Sequence, residues 1–502
     1  MRNFISYLIS TFALLTLLSS CEREAKVIYA IGIDEPVVRC THTEQERTIK
    51  YRLHPNITSM DIKPNISADA TWVEIIETST IGEFTIKVEE NTAEERSATI
   101  SISAQECQTA KITLTQYGTP PEKANHTLMF CFLGTSLDRY FSGNIADAKA
   151  AIINNGILGN SNRVIFFRQN SSTKGYIGEI YYDGTEIHHM DIDLSTSLMT
   201  PDELGKIMAT MANIAPAERY GIVLAGHGQA WITRDIINNN YQDISTLGLM
   251  PNPWIQAPGA ETTRAYGEKN VQFDIEELAE AIELSKVELD YILFDACFMS
   301  NIETIYELRN LANYIIASPC EIMGRGFPYE RTIPYLFQND GKESDYIGAA
   351  ESYYKYYRDE VNSGSARCGS ITVYDCSQID ALAEATNRAM VGAISREDPE
   401  CEIHLMQTYE GQTPHHFFDF GQWINHIARY NEAALENFNK AFKDCVIATF
   451  TLDSFYSAYG KYGTYLINLD VYSGVTTSAP SGAYPNGWRT TNWYKEVIAL
   501  EN

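Results

Sequence analysis

The chain has 502 residues, of which 44% are hydrophobic and 21% charged, and its formal net charge is -27 at pH 7. This length and composition predict a folded protein of two or three domains. The acidic surface would repel phosphate backbones, so we expect no binding to nucleic acids. The ten cysteines contain no Cys-x-x-Cys pair and no zinc-ligand spacing, and their number alone neither requires nor excludes disulfide bonds.

The first 21 residues have the features of an export signal. An apolar stretch, residues 5–18, is too short for a stable transmembrane helix and leads into a Leu-Ser-Ser-Cys sequence that ends at Cys21. This ending resembles a bacterial lipobox, in which the cysteine is lipidated and becomes the mature N-terminus. An ordinary secretory signal with an incidental cysteine is the alternative. We therefore expect a lipoprotein signal at residues 1–21, and a protein anchored by a lipid on Cys21 to the cell envelope, at the outer membrane or cell surface.

A β-rich module is predicted for residues 27–118. Its segments are short and alternate between apolar and polar residues, as in residues 81–88, 99–103 and 111–115. Such strands favour an antiparallel, immunoglobulin-like sandwich. The module, with Trp72 as its expected core aromatic residue, resembles the BACON domain of Bacteroidetes proteins. The resemblance implies either a spacer or a domain that binds glycans or mucin, and the sequence does not separate these roles.

The rest of the chain is predicted to fold as an α/β domain. Residues 119–125 form a proline-containing linker, and the larger domain spans residues 126–502. Apolar runs that predict buried strands alternate there with helical patterns, two of which open with capping boxes at Thr200 and Asp274. This alternation predicts a mainly parallel sheet covered by helices on both faces. The runs that predict strands are residues 127–133, 163–167, 222–224, 291–294 and 314–318.

Cys297 follows one of these predicted strands. The apolar run 291–294 precedes it, and Ile302, Ile305 and Tyr306 follow at helical spacing. Open α/β sheets bind ligands at the carboxyl ends of their strands, and a helix N-terminus nearby would stabilise a thiolate. A buried structural cysteine is the alternative.

A histidine follows another predicted strand in the same way. His227 comes after the run 222–224 and stands between Gly226 and Gly228, so the backbone can turn sharply and approach a ligand closely. If the two strands are neighbours in one sheet, the imidazole and the thiol of Cys297 meet at the same edge. A nucleophile and its base require this proximity.

The two motifs together resemble the clostripain family of cysteine peptidases, which belongs to the caspase-like clan. The resemblance covers most of the chain from about His126 onward and implies a caspase-like α/β sandwich. It implies that Cys297 attacks the scissile carbonyl, that His227 protonates the leaving amine, and that the N–H groups of Gly228 and Cys297 stabilise the oxyanion. No metal or other cofactor is expected, although the resemblance leaves a calcium requirement open.

The family carries an aspartate at the position of Asp295 and cleaves after arginine and, less well, after lysine. Because strand residues i and i+2 point to the same side, Asp295 would face the specificity pocket beside Cys297. The alternative is that Asp295 caps the following helix. Ser318 is expected to bind substrate in the pocket wall, which the following Pro319-Cys320 would reshape because relatives commonly carry acidic residues there.

A long stretch without clear periodicity, residues 231–271, separates the two motifs and is a natural proteolytic target. Clostripain relatives often cut themselves between the histidine and cysteine strands. We therefore expect self-cleavage between Arg264 and Ala265, with Arg234 and Lys269 as other candidate sites. An intact single chain is the alternative.

The sequence thus favours a cysteine endopeptidase that acts on proteins or peptides with arginine or lysine before the scissile bond. The competing hypothesis is a surface lipoprotein that binds glycans or proteins and keeps only a remnant of a peptidase domain. The presence of both His227 and Cys297 favours the enzyme, because a decayed peptidase should often lose one of them.

Overall fold

The computed structural model divides the chain into two compact units, Met1–Gly118 and Thr119–Asn502. The predicted signal with Cys21, the paired prolines of the linker and Lys269 lie outside the described residues. No helix within the described residues is long and apolar enough to cross a membrane. The structure describes residues 30–499 except 55–62, 81, 105–106, 120–121, 160, 195–198, 240–253, 267–272, 338–343, 362–366, 392–404, 413, 460–464 and 479–484.

The first unit contains two four-stranded sheets. Alternating apolar residues of these strands form its core, in which Phe84 is fully buried. Trp72, the expected core aromatic residue, is partly buried at the edge of this core, against which it packs, and lies under the guanidinium of Arg96. One sheet has the order β1 (Ala30–Ile33), β3 (Gln45–His54), β6 (Glu83–Val88), β5 (Val73–Glu77). The other has the order β2 (Val37–Cys40), β8 (Ala110–Gln116), β7 (Arg96–Ser103), β4 (Asn65–Ala68).

The second unit is built on a nine-stranded mixed sheet, which confirms the α/β fold. The five central strands of the sheet are parallel, and the strands on both flanks are antiparallel. The central strands are almost continuously apolar, as expected for strands covered on both faces. The order is β12 (Glu186–Asp193), β11 (Lys174–Ile180), β10 (Asn162–Ser171), β9 (Ala124–Phe132), β13 (Ala217–Ala225), β14 (Leu289–Asp295), β15 (Ala312–Ala317), β16 (Ile371–Asp375), β18 (Val446–Phe450). Two short pairs join β17 (Phe418–Asp419) to β21 (Thr476–Thr477) and β19 (Ser454–Ser457) to β20 (Tyr465–Asn468).

The helices of this unit pack in small groups against the sheet. Helix Pro201–Ile214 contacts helix Ile275–Ser285. Helix Tyr329–Leu336 lies against helices Asp138–Asn155 and Tyr346–Asp359, and helix Ile379–Met390 lies against helix Glu432–Cys445. Both predicted capping boxes are present, at Thr200 and at Asp274. The helices are α1 (Asp138–Asn155), α2 (Pro201–Ile214), α3 (Arg234–Asn239), α4 (Ile275–Ser285), α5 (Ile302–Leu308), α6 (Tyr329–Leu336), α7 (Tyr346–Asp359), α8 (Ile379–Met390), α9 (Phe420–Ile427), α10 (Glu432–Cys445) and α11 (Pro485–Trp488).

Strands β13 and β14 are parallel neighbours in the middle of the sheet. Their register pairs Ala225 with Asp295, so both strands end at the same level. His227 and Cys297 each follow two residues later, at one edge of the sheet. The prediction that these two strands are neighbours is confirmed.

Candidate active site

The loops that follow β13 and β14 contact each other closely. A Cβ atom on Gly228 would lie 2.1 Å from the carbonyl oxygen of Cys297 and 2.8 Å from its nitrogen. A side chain at this position would therefore collide with the backbone beside the thiol. Glycine is required here because the two loops touch through their main chains.

His227 is partly buried at this edge. Its Nε2 atom lies 2.9 Å from Oγ of Ser136, in the short 3-10 helix Thr135–Leu137 that follows β9. The sequence analysis did not identify Ser136, because nothing in its local pattern indicates that it lies near β13. The contact fixes one side of the imidazole ring.

The thiol of Cys297 is fully buried and is held by one residue. Its Sγ accepts a hydrogen bond from the N–H of Ile322 at 2.9 Å and lies 3.5 Å from the carbonyl oxygen of the same residue. Burial raises the pKa of the Cys297 thiol well above its ordinary value, and the Glu321 carboxylate raises it further. Helix α5 begins at Ile302 and is capped by the Asn301 side chain. The expectation that a helix N-terminus favours the thiolate is therefore wrong for this state.

Residues 262–266 lie across the same edge and form main-chain hydrogen bonds with it. The N–H groups of Gly228 and Cys297 both donate to the carbonyl oxygen of Arg264, at 2.8 and 3.2 Å. The N–H of Arg264 donates to the carbonyl of Ile322 at 2.8 Å. One residue's carbonyl is thus bound by the two N–H groups that the sequence analysis assigned to the oxyanion.

The hydrogen bonds continue on both sides of Arg264. Upstream, the N–H of Gly324 donates to the carbonyl of Thr262 at 2.7 Å. Downstream, the N–H of Tyr266 donates to the carbonyl of Gly228 at 3.2 Å. A segment of the chain therefore occupies its own cleft through main-chain hydrogen bonds, with Arg264 at the centre.

The side chain of Arg264 is fully buried and makes contacts with every nitrogen of its guanidinium. Nη1 lies 2.9 Å from Oδ2 of Asp295 and also donates to the carbonyl of Asp295 at 3.1 Å. Nε donates to the carbonyl of Gly324 at 3.1 Å, and Nη2 donates to Oδ1 of Asn144 at 2.8 Å. Asn144 comes from helix α1, and the sequence analysis did not identify it.

Asp295 forms the floor of this pocket. Besides Arg264, its Oδ2 accepts hydrogen bonds from the hydroxyl of Tyr329 at 2.6 Å and from the N–H of Phe327 at 3.3 Å. Burial raises the pKa of the Asp295 carboxyl, and the Arg264 guanidinium opposes this effect. The alternative that Asp295 caps the next helix is wrong, because Asn301 has that role.

A glycine forms one wall of the pocket. Gly326 has a φ of +70°, in the left-handed region, and a Cβ atom there would lie 2.4 Å from both Nη2 of Arg264 and Oδ2 of Asp295. Any larger residue would occupy the volume of the guanidinium. The lack of a side chain at Gly326 therefore leaves room for the guanidinium, and the carboxylate of Asp295 closes the pocket.

Comparison with known proteins finds similarity to one family of peptidases. The profile of the Clostripain family, Peptidase C11, matches residues 253–475, which include Arg264, Asp295 and Cys297. The profile of the BACON domain matches residues 61–117, a range that starts later than the module predicted from residue 27. None of the curated proteins matches the chain.

Three solved structures are similar to this chain. A secreted C11 cysteine protease from Bacteroides thetaiotaomicron is 26% identical with a TM-score of 0.62, covering 75% of this chain and 99% of its own. An inactive zymogen C11 protease from Parabacteroides distasonis is 27% identical with a TM-score of 0.61, covering 76% and 99%. A clostripain from Bacteroides thetaiotaomicron, in complex with a peptide inhibitor, is 31% identical with a TM-score of 0.41, covering 46% and 96%. This chain belongs to the clostripain family of cysteine peptidases.

In this clostripain-family protein, Ser318 lies immediately after β15. Its side chain is buried, and its Oγ forms hydrogen bonds of 3.1 Å with both the carbonyl and the N–H of Cys320. None of the hydrogen bonds described for Ser318 reaches Arg264. Its role in substrate binding stays a prediction, and the structure gives it a role in forming the turn that leads to Ile322.

A buried carboxyl that the sequence analysis did not identify lies below the cleft. Glu321 accepts hydrogen bonds from Oγ of Ser457 at 2.6 Å and from the N–H of Ala458 at 3.1 Å, and the side chain of Thr263 also bonds to it. Burial raises the pKa of Glu321 to about 7, against the opposing effect of these hydrogen bonds. Thr263 precedes Arg264, so this carboxyl contacts the segment that occupies the clostripain cleft.

The described residues contain no group of three or more His, Cys, Asp or Glu side chains that could hold a metal ion. The eight cysteines within the described ranges are free thiols.

Proposed function

We propose that this clostripain-family peptidase is an endopeptidase that cleaves after arginine and less well after lysine, and that it first cleaves its own Arg264–Ala265 bond. One observation carries the proposal. The Arg264 side chain fills a pocket closed by Asp295 while its carbonyl oxygen receives the N–H groups of Gly228 and Cys297. A scissile peptide needs this combination of a bound side chain and a polarised carbonyl.

The proposed reaction uses groups at this edge of the sheet and one water molecule. His227 takes the proton of the Cys297 thiol, and Sγ attacks the carbonyl carbon of Arg264. The negative charge on the carbonyl oxygen is stabilised by the N–H groups of Gly228 and Cys297. The C–N bond then breaks as His227 returns the proton to the nitrogen of Ala265. Water hydrolyses the thioester, which frees the carboxylate of Arg264 and regenerates the thiol.

The contacts of the guanidinium support a preference for arginine over lysine. Arginine presents five N–H donors in a planar arrangement, and the pocket offers acceptors from Asp295, Gly324 and Asn144. Lysine would place one ammonium in the same volume and leave some of these acceptors without a donor. A matched series of peptides with Arg, Lys, Leu or Asp before the scissile bond measures this preference, and a wild-type preference for Leu or Asp would contradict the pocket assignment.

The same geometry supports cleavage within one molecule. Arg264 is fully buried, so another protease could not reach it in this state. The segment also covers the cleft and keeps the thiol buried, where its raised pKa disfavours the reactive thiolate. Arg234, the alternative site, lies in helix α3, and its side chain is paired with Glu277. These facts favour Arg264 and an uncut, latent form of the enzyme.

Mass spectrometry of four purified full-length proteins tests the proposal. Wild type should give two associated fragments that meet between residues 264 and 265, whereas Cys297→Ala and Arg264→Gln should each remain one chain. Arg234→Gln is the matched control and should be cut like wild type. Wild type that stays intact under all conditions would contradict self-cleavage. If this intact protein also releases no dye from an arginyl coumarin amide, the competing hypothesis of a binding lipoprotein gains support.

We also propose that the enzyme acts at the cell envelope, held there by a lipid on Cys21. The support is the Leu-Ser-Ser-Cys sequence after a short apolar stretch. Fractionation of cells that express wild type or Cys21→Ser tests it. Wild type should sediment with membranes and label with palmitate, and the variant should do neither; equal membrane recovery of both proteins would contradict the anchor.

A further inference from the structure

The pocket on the other side of the Arg264–Ala265 bond is also filled. The side chain of Tyr266 is 6% exposed and lies among three aromatic rings. Its ring centroid is 4.8 Å from that of Trp254, 5.3 Å from that of Tyr459 and 5.4 Å from that of Phe298. Edge-to-face and tilted aromatic contacts at these distances are favourable beyond the area that they bury.

The pocket also contains a partner for the phenol. The hydroxyl of Tyr266 donates to Oε1 of Gln412 at 3.0 Å, and Gln412 is 1% exposed. A buried amide loses a hydrogen bond if the pocket holds a side chain without a hydroxyl group. The pocket is therefore matched to tyrosine in both its apolar walls and its polar end.

The main chain on this side is also held by hydrogen bonds. The hydroxyl of Tyr459 donates to the carbonyl of Ala265 at 3.1 Å, and the N–H of Tyr266 donates to the carbonyl of Gly228. Tyr266 has a φ of +42°, a conformation that is rare for a bulky residue. This backbone turns the ring into the pocket, and the contacts of the ring offset the strain.

The walls of the pocket come largely from segments that self-cleavage would not displace. Phe298 follows Cys297 directly. Gln412 and Tyr459 belong to the last hundred residues of the chain, so all three residues lie after the bond that would be cut. Phe298 also has a positive φ, +64°, which directs its ring away from the ordinary path of the loop. Only Trp254 precedes the bond that would be cut.

We propose that this pocket is a subsite of the enzyme that selects tyrosine at the second position after the scissile bond of its substrates. The inference rests on the proposed function, since it takes Arg264–Ala265 as the model of a scissile bond. It adds a requirement on the residues that follow the scissile bond. Preferred substrates carry arginine, then any small residue, then tyrosine.

Peptide cleavage by the matured enzyme tests the inference. The peptides share the sequence Thr-Thr-Arg-Ala-Z-Gly, in which Z is Tyr, Phe or Ala, and an arginyl coumarin amide with no residue at Z serves as reference. We expect kcat/KM to fall about tenfold from Tyr to Phe, because one buried hydrogen bond is lost. We expect a further fall of about tenfold or more from Phe to Ala, because the aromatic contacts and their buried area are lost.

Two variants separate a binding role from a structural one. Gln412→Met should reduce the preference for Tyr over Phe to about one, whereas the control Gln378→Met, on the short helix Cys376–Gln378, should keep it. In Tyr266→Ala the enzyme's own ring cannot occupy the pocket, so the preference for Tyr should be at least as large as in wild type. Mass spectrometry establishes the maturation of each protein before its kinetics are measured.

The reference substrate distinguishes the two possible failures. If the coumarin amide is not cleaved, the proposed function fails. If the coumarin amide is cleaved but Tyr, Phe and Ala peptides react equally, the proposed function stands and the tyrosine subsite is overturned. A preference for Tyr that Gln412→Met leaves unchanged would also overturn it, because the hydroxyl would then bind elsewhere.

Discussion

The two pockets that flank the Arg264–Ala265 bond hold their side chains by different forces. Before the bond, the Arg264 guanidinium is fully buried against the carboxylate of Asp295 at 2.9 Å. After the bond, the ring of Tyr266 lies among other aromatic rings and makes one neutral hydrogen bond to Gln412. One pocket depends on charge, and the other depends on contact area.

The difference predicts how each pocket responds to a wrong side chain. A buried charge whose partner is removed typically destabilises by about 3–5 kcal/mol, since the remaining charge cannot be solvated. Loss of one neutral hydrogen bond typically destabilises by only about 1 kcal/mol. On the proposed function, the pocket of Asp295 should decide whether a chain is cleaved at all, and the pocket of Tyr266 should adjust the rate of cleavage.

The two pockets can select substrates only if Cys297 and His227 break the bond between them. We expect Cys297→Ala and His227→Ala each to lower kcat/KM on arginyl substrates by on the order of 10³-fold or more, and the double variant to be no worse than either. Kinetics on the three proteins and mass spectrometry of self-cleavage measure this. Near wild-type turnover by Cys297→Ala would remove the proposed mechanism.

Removing the charge of the first pocket should have the next largest effect. In full-length Asp295→Asn, Arg264 is buried without its ionic partner, so we expect self-cleavage to be lost and the unfolding free energy to fall by about 3–5 kcal/mol relative to Cys297→Ala. The double variant Asp295→Asn/Arg264→Gln should recover most of the stability but none of the arginine cleavage. Asp380→Asn, whose carboxylate is 73% exposed, is the control and should change neither. Arginine cleavage that survives in Asp295→Asn would show that another acidic residue reads the substrate.

The carboxyl of Glu321, below the occupied cleft, should make the unfolding free energy of the uncut protein depend on pH. The pKa of Glu321 is about 7 in the fold, above the ordinary 4.5, so the fold favours the protonated form. Its contribution to stability is complete below about pH 4.5 and is lost as the pH rises through about 7, by a total of about 3 kcal/mol. Urea unfolding of uncut Cys297→Ala at pH 5 and pH 8 should show this loss, and Cys297→Ala/Glu321→Gln should not.

Cys297→Ala must be compared with Cys297→Ala/Glu321→Gln because other groups also make the unfolding free energy depend on pH. Burial lowers the pKa of both His126 and His416 to about 3, so these two residues favour the fold as the pH rises. These histidines change the unfolding free energy of both proteins equally, so their effect cancels when the two proteins are compared. Equal pH dependence of the two proteins would show that Glu321 does not hold a proton below the cleft.

The smallest expected effect is at the rim of the charged pocket. Asn144→Ala removes the acceptor for Nη2 of Arg264 but leaves Asp295 in place. We expect kcat/KM on arginine peptides to fall about tenfold, and on lysine peptides by less, because a single ammonium does not use this acceptor. Kinetics on the matched Arg and Lys peptides measure it, and an equal loss on both would mean that Asn144 supports the pocket only indirectly.

Much of the framework of this site could be predicted from the sequence, because it depends on residues near one another in the chain. The apolar runs 222–224 and 291–294 predict two strands, and the capping boxes mark two helices by spacing alone. The register of the two strands then brings His227 and Cys297 to one edge.

The contents of the pockets could not be predicted in this way. Arg264 contacts residues that are 31, 60 and 120 positions away in the chain, and no periodic pattern relates it to them. Glu321 and Gln412 are isolated polar residues in irregular segments, so their burial is visible only in the folded protein. On one antiparallel flank, β16 pairs with β15 and β18, which are distant in the chain and leave no local signal. On the other flank, β10, β11 and β12 are consecutive strands joined by short turns, and the sequence analysis did not identify these hairpins.

The pairing of β13 with β14 has a consequence for the protein after self-cleavage. The two strands are hydrogen-bonded neighbours in the centre of the sheet, yet the cut would place β13 in one piece and β14 in the other. The uncut chain folds in a first-order process, because the connection keeps the two strands at a high effective concentration. Once cut, the denatured pieces must find each other by diffusion, so recovery becomes second order and slows on dilution. The bond that closes the cleft is therefore also the bond that allows a single molecule to refold alone.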